Sequence, residues 1–151
     1  MRTIKLIYTV FILLLVASCN PAEKISEKDV MKAFNDFSFN SDDEISKSFK
    51  DQTTKDFTMY EVGRKWNSDE FLEYVKTFGK FKCKRNYKNI VIHTDINSAH
   101  ISLEHTAEIQ LEKPTPDGKT LLYYEWLESG YLVKGDGKLK FKFYFSEQIN
   151  D

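Results

Sequence analysis

The stretch KGDGKLKFKFYF, residues 134–145, decides the fold class of this 151-residue chain. Gly135, Asp136 and Gly137 form a turn signal of the kind that joins two antiparallel strands. Beyond the turn, apolar and polar residues alternate with a period of two, which is typical of a strand with one buried and one solvated face. The face expected to be buried carries Leu139, Phe141, Phe143 and Phe145. The sequence therefore predicts a β-hairpin near the end of the chain.

The same alternation extends upstream of this hairpin. Residues 121–133 predict a long aromatic strand, and residues 81–96 predict one bent strand or two, because Asn86 and Asn89 interrupt them. Residues 99–111 alternate cleanly, so six side chains are expected on one buried face: Ile101, Leu103, His105, Ala107, Ile109 and Leu111. The second half of the chain is therefore predicted to form an antiparallel sheet.

The first half carries helical signals instead. Ser26 begins a capping box, and Ser41 with Glu44 predicts a second and shorter helix. A third helix is capped by Asn67 and stopped by Gly79. The apolar stripe of the first helix is Val30, Ala33, Phe34 and Phe37. That of the third helix is Phe71, Val75 and Phe78. With a strand at residues 56–62, the order predicts an α+β cone in which three helices cover the concave side of a curved sheet.

The N-terminus has the composition of an export signal. Arg2 and Lys5 precede an apolar run, and Ala17 and Ser18 then precede Cys19. This order resembles the lipobox of bacterial lipoproteins, which implies cleavage before Cys19 and attachment of a diacylglyceryl group to its sulfur. The predicted organisation is a signal peptide at 1–18, the lipidated cysteine and a tether at 19–25, and one domain at 26–151. No later segment is apolar and long enough to predict a transmembrane helix.

Charge and cysteine content limit the partners. Removal of residues 1–18 takes Arg2 and Lys5 from 22 basic residues, which leaves 20 against 23 acidic ones. A mildly acidic domain disfavours nucleic acid as a partner. A thioether at Cys19 would leave Cys83 without a disulfide partner, and Cys83 is expected to be a small core residue. The three histidines have no metal-binding spacing, so neither a metal nor another cofactor is expected.

A second resemblance covers nearly all of the predicted domain. Three local patterns are similar to the nuclear transport factor 2-like superfamily, and in particular to SnoaL-like domains. They are Asp56-Phe57, Glu61-Val62-Gly63 before the third helix, and residues 128–138 (ESGYLVKGDGK). The resemblance implies a cystatin-like conical fold with a pocket between the helices and the concave sheet face. It also implies a homodimer through the outer sheet face. The superfamily includes isomerases, cyclases, dehydratases and proteins that only bind.

The candidate pocket residues follow from strand parity and this resemblance. His105 interrupts an apolar face and is interpreted as either a base or a core histidine with a satisfied hydrogen bond. Glu128 shares strand parity with Tyr124 and Trp126, so it either faces the pocket as an acid or base or is turned outward by a bulge near Gly130. Tyr60 is expected to position a ligand, and Phe141 and Phe143 are expected to make an apolar pocket floor.

Two carboxylates and a basic run carry weaker signals. Asp56 and Glu61 lie near the position where related enzymes place a carboxylate, and a capping role is favoured for both. Five basic residues between 80 and 88 are interpreted as the solvated face of an edge strand: Lys80, Lys82, Lys84, Arg85 and Lys88.

These observations lead to three functional hypotheses. The first is a noncatalytic lipoprotein of the bacterial cell envelope that binds a small apolar ligand or a protein partner. The second is an isomerase, cyclase or dehydratase that uses His105 or Glu128, and the third is a structural subunit whose pocket is filled by aromatic side chains. In enteric bacteria, an aspartate directly after the lipidated cysteine favours retention in the inner membrane. This chain has Asn20 at that position, which gives a mild preference for the outer membrane.

Overall fold

The computed structural model describes residues 22–38, 45 and 48–149. The predicted leader and Cys19 lie outside the described residues, as do Ser41 and Glu44, the cap of the predicted second helix. No helix in the described part of the chain is long and apolar enough to cross a membrane.

The described residues contain two α-helices where three were expected. Helix α1 spans Glu27–Phe37, and its cap Ser26 accepts a hydrogen bond from the Asp29 amide at 3.1 Å. Helix α2 spans Ser68–Lys76 and has the complete capping box predicted for Asn67 and Glu70. The described end of the segment between α1 and the first strand is a 3-10 turn, Phe49–Asp51.

Six strands form one sheet. They are β1 (Thr53–Glu61), β2 (Arg64–Trp66), β3 (Phe81–Thr94), β4 (Ser98–Leu111), β5 (Leu121–Gly135) and β6 (Lys138–Gln148). Their spatial order is β2-β1-β6-β5-β4-β3. Strand β3 is one bent strand with a register shift between Lys88 and Val91, where Asn89 adopts a positive φ of 52°. The edge position predicted for its basic run is confirmed.

The prediction of a purely antiparallel sheet is wrong. Strand β1 pairs with β6 in parallel, whereas the other neighbouring pairs are antiparallel. A parallel pair needs a long connection, and α2 together with the β3–β5 meander supplies one between β1 and β6. The sheet is therefore mixed, with the parallel contact beside its centre.

A β-bulge changes the face assignment of the last strand. Leu132 pairs with Phe141 and Tyr131 pairs with Phe143, so Lys142 is an extra residue on β6. Because one inserted residue reverses strand parity, Tyr144 and Ser146 are buried, and Phe143 and Phe145 leave the buried face. The prediction that Leu139, Phe141, Phe143 and Phe145 share one buried face holds only for the first two.

The core forms where α1 lies on the inward face of the sheet. All four residues of the predicted α1 stripe are buried. The ring of Phe37 packs 4.3 Å from that of Phe141 and 4.9 Å from that of Tyr144, measured between centroids. The inward side chains of β4 are buried in the predicted alternation. This packing fills one end of the concave face and leaves the other end open.

Candidate functional site

A cavity of about 580 Å³ occupies the open end of the concave face. Its apolar wall comes from both helices and from β1, β4 and β5, and includes Phe37, Met59, Phe71, Val75 and Leu122. Its polar wall brings together groups from four strands: Glu61, Arg85, His105 and Glu128. The cavity has the size and the mixed lining of a small-molecule site.

His105 lies at the centre of the polar wall. Its Nδ1 lies 3.0 Å from Oε1 of Glu128, and its Nε2 lies 3.1 Å from Nη1 of Arg85. The three residues come from adjacent strands, because His105 on β4 pairs with Tyr87 of β3 on one side and with Trp126 of β5 on the other. The side chains of His105 and Glu128 are only 3% and 9% exposed.

These contacts determine the protonation pattern of the imidazole. A guanidinium group only donates hydrogen bonds, so Nε2 of His105 must accept from Arg85. Nδ1 then carries the proton and donates it to Glu128. His105 is therefore a neutral imidazole with both nitrogens engaged, and its Nε2 lone pair is not available as a base.

Glu61 reaches the cavity from the end of β1. The turn after it is a two-residue hairpin loop, and the indole Nε1 of Trp66 donates a 2.8 Å hydrogen bond to the Glu61 carbonyl. Burial, followed by the negative charge of Glu128, raises the pKa of the Glu61 carboxyl to about 7, and the positive charge of Arg85 opposes this rise. Glu61 thus changes charge near neutral pH.

Glu61 and Glu128 share a second property. Oε2 of each carboxyl is buried and receives no hydrogen bond from any described residue. Buried acceptors without a donor are uncommon in folded proteins, because each loses its hydration without compensation. Burial, the charge of Glu128 and a hydrogen bond to the Glu128 carboxyl also raise the pKa of the Tyr144 hydroxyl well above its usual range. The polar wall therefore offers hydrogen-bond acceptors to whatever enters the cavity.

The cavity mouth contains a strained residue. Val62 has a φ of 52° and Gly63 a φ of 69°, which together match the central positions of a type I′ turn. Glycine and asparagine adopt this conformation readily, whereas a β-branched valine does so at a cost. Val62 is 64% exposed, so packing does not compensate for the strain. Strained positions of this kind cluster at functional sites.

Five of the residues predicted for the pocket line this cavity. His105, Tyr124, Trp126 and Glu128 lie on its inner wall, whereas Tyr60 borders the cavity with its ring on the other face of the sheet, beside Phe143. Glu128 points inward because the β4–β5 register is unbroken from Ser98 to Gln110, so no bulge turns it outward.

The predicted apolar floor of Phe141 and Phe143 is wrong. Phe141 is fully buried in the aromatic core beside Phe37, outside the cavity lining. The β6 bulge turns Phe143 to the other face, where its ring lies 6.0 Å from that of Tyr60. Of the three phenylalanines expected to fill the pocket of a structural subunit, only Phe145 lines the cavity, together with Tyr144, and the cavity remains open.

Sequence reasoning missed the roles of Arg85 and Glu61. Arg85 was assigned to a solvated face, yet it shares strand parity with buried Phe81 and Cys83 and lines the cavity. That parity was a usable signal. Glu61 was expected to act as a cap, but its Oε2 has no partner in the described chain. Glu61 shares strand parity with buried Phe57 and Met59, so parity was a usable signal here as well.

The arrangement permits two kinds of chemistry. It can bind a ligand that donates hydrogen bonds to the two carboxyl groups, or it can move a proton through Glu61 near neutral pH. Within residues 22–38, 45 and 48–149, no group of three or more histidine, cysteine or acidic side chains is positioned to hold a metal ion.

Sequence comparison gives no assignment for this chain. No protein-family model matches it. No curated protein matches it either. Similarity to known proteins is therefore found in structure.

Three solved structures illustrate that similarity. A nuclear transport factor 2-like protein of unknown function from Prochlorococcus is 14% identical over 84% of this chain and 96% of its own, with a TM-score of 0.63. The beta subunit of the benzoate 1,2-dioxygenase of Burkholderia mallei is 12% identical over 85% and 94%, with a TM-score of 0.67. The association domain of the C. elegans calcium/calmodulin-dependent kinase II is 12% identical over 78% and 88%, with a TM-score of 0.58.

Identities this low support the fold and no activity. The chain has the α+β nuclear transport factor 2-like fold, with a curved, mixed six-stranded sheet.

Proposed function

We propose that this chain is a lipid-anchored protein of the bacterial cell envelope whose domain binds a small, largely apolar molecule. The observation that carries the proposal is the 580 Å³ cavity, which has an apolar wall facing a compact polar one. Pockets of this size and composition hold most of a small ligand's surface, and a few polar groups orient it. The lipobox-like sequence ending at Cys19 supports the anchor, and the short segment to residue 25 would keep the cavity near the membrane.

Ligand binding is tested by filling the cavity. Leu122→Trp adds bulk to the cavity wall, and Ile90→Trp makes a similar change at an exposed position of β3 outside the cavity. We expect native mass spectrometry of the protein from its own host to show a bound small molecule in wild type and Ile90→Trp. Leu122→Trp should lack it. Equal retention in both variants, or no ligand in any of them, would contradict the proposal.

The anchor is tested at Cys19. The wild-type chain should fractionate with membranes and gain the mass of a diacylglyceryl group, because two acyl chains anchor a protein stably. Cys19→Ser should abolish both properties, and Cys83→Ser, at the buried free thiol, is the matched control. Unchanged membrane fractionation of Cys19→Ser would remove the lipoprotein part of the proposal.

A second candidate function is proton transfer catalysis. The observation in its favour is the Glu61 pKa of about 7, which suits a general base at neutral pH, beside the Glu128–His105 pair. The test is exchange of the α-protons of 2-tetralone into deuterated water, followed by NMR. Glu61→Gln should slow any protein-dependent exchange about 100-fold or more. Equal rates with and without protein would argue for binding alone.

We also propose a homodimer through the outer sheet face. Strand β5 exposes four large apolar side chains on that face, namely Leu121, Tyr123, Leu127 and Tyr131. Sedimentation analysis should give a dimer for the wild-type chain and a monomer for Tyr123→Lys. A monomeric wild type at all concentrations would refute this part.

A further inference from the structure

We infer that the ligand of this cavity is an organic cation, an apolar molecule bearing a protonated amine that lies between Glu61 and Glu128. The inference rests on the proposed ligand-binding function and names the chemical class of the ligand. It begins with the two carboxyl groups of the polar wall.

Both groups need a hydrogen-bond donor. Oε2 of Glu61 and Oε2 of Glu128 are buried and without a partner among the described residues. The Glu128 side chain is only 9% exposed, and its other oxygen is held by His105. A carboxylate oxygen cannot donate, so both oxygens accept from donors that enter the cavity. An ammonium group carries up to three N–H donors, which is enough for the two carboxyl groups.

The charge of the cavity wall agrees with this. The cavity is lined by the carboxylates of Glu61, Glu128 and Glu147 and by the guanidinium groups of Arg64 and Arg85. With His105 neutral and all three carboxylates ionised, the wall carries one net negative charge. A monovalent cation neutralises it, whereas an anion would add to the repulsion between carboxylates.

The positive groups do not create an anion site. Arg85 donates to Nε2 of His105 at 3.1 Å. Arg64 lies over the Trp66 ring, with its guanidinium carbon 3.7 Å from the ring centroid. An anion that approached Arg85 would also lie close to two carboxylates, which repel it.

The remaining walls suit the apolar part of such a ligand. Tyr74, Tyr124 and Trp126 line the cavity together, and the Tyr124 and Trp126 rings lie 5.4 Å apart between centroids. Aromatic faces attract cations as well as apolar groups. An aryl or alkyl amine fits this combination of carboxyl acceptors and aromatic surface.

Binding of a cation should release a proton from Glu61. The titratable or charged groups lining the cavity with it are Tyr60, Arg64, Tyr74, Arg85, His105, Tyr124, Glu128, Tyr144 and Glu147. Burial and Glu128 hold the pKa of Glu61 at about 7, and a nearby positive charge favours its ionised form. Affinity for the cation should therefore rise as pH increases through 7, with about half a proton released per site at pH 7.

The experiment compares three probes with similar skeletons: 2-phenylethylamine, 2-phenylethanol and 3-phenylpropanoate. Isothermal titration uses the full chain in phosphatidylcholine nanodiscs, with empty nanodiscs as the blank. At pH 8 the amine should bind about tenfold tighter than the alcohol or more, and the carboxylate should bind most weakly. Titrations in buffers of different ionisation enthalpy measure the proton release at pH 7.

Three variants locate the effect. Glu61→Gln should lose about tenfold in amine affinity at pH 8, together with the proton release, and keep its affinity for the alcohol. Glu128→Gln should also weaken amine binding, and thermal unfolding shows whether it is folded. Glu108→Gln, on the exposed face of β4, is the matched control and should behave as wild type.

The outcomes separate this inference from the proposed function. Equal affinities for all three probes, or an amine affinity unchanged in Glu61→Gln, would overturn the cation assignment and leave the apolar cavity site standing. Failure of every probe to bind wild type would overturn both.

Discussion

Replacement of Glu61 by glutamine should change how the stability of this protein depends on pH. The pKa of this carboxyl rises from 4.5 to about 7 in the folded protein, because the carboxyl is buried and faces Glu128. The folded state therefore binds a proton more tightly than the unfolded state does. The group costs no stability well below pH 4.5, and the cost grows as pH rises and levels off above pH 7.

The magnitude follows from the pKa difference. A shift of about 2.5 units corresponds to roughly 3 kcal/mol at full ionisation. Between pH 5 and pH 8 the expected loss is about 2 kcal/mol, since part of the penalty is already present at pH 5. Glu61→Gln keeps the shape of the side chain and removes its charge, so the variant should gain about 2 kcal/mol relative to wild type over this interval.

Urea unfolding, followed by the fluorescence of Trp66 and Trp126, measures this difference. The free energy of unfolding is determined at pH 5 and pH 8 for wild type, Glu61→Gln and the exposed control Glu108→Gln. The control should follow wild type at both values. If the difference between Glu61→Gln and wild type were the same at pH 5 and pH 8, Glu61 would not carry a raised pKa and the electrostatic account of the cavity would fail.

Three further substitutions test the local structure by thermal unfolding. Val62→Asn, at a φ of 52°, should raise stability by about 1 kcal/mol, because asparagine tolerates the left-handed region, and a lower Tm would refute the strain. Gly130→Ala should cost about 1 to 3 kcal/mol, since its new Cβ would lie 2.6 Å from a ring carbon of Phe141, and an unchanged Tm would show that this ring moves freely. Asn67→Ala should cost about 1 kcal/mol by removing the α2 cap, and a neutral effect would mean that tertiary contacts alone hold the start of the helix.

Local signals predicted the helices and most strands well. The Ser26 cap, the α1 stripe and the Asn67 capping box are confirmed, as is the alternation of β4 around His105. These features depend on hydrogen bonds and apolar spacing within a few residues, which a sequence displays directly. The α+β class and the two-layer arrangement follow from them.

Features that depend on distant parts of the chain were not predictable in the same way. The parallel pairing of β1 with β6 joins residues 85 to 88 positions apart, and it comes from the path of the whole sheet. The extra residue Lys142 reversed the expected faces of Phe143 and Phe145, although the sequence alternates without interruption. A bulge is a property of the pairing between two strands, so one strand's pattern does not reveal it.

The sequence by itself determined the periodicities, the caps, the turn at Asp136 and the inward parity of His105 and Glu128. Only the tertiary structure joined Arg85, His105 and Glu128 into one hydrogen-bonded chain and brought Glu61 to face it across a cavity. Charges and pKa values depend on distances through space, and residues far apart in the chain set those distances once the sheet has curved. That is why the cavity wall with its two unpartnered carboxyl oxygens appears only in the folded protein.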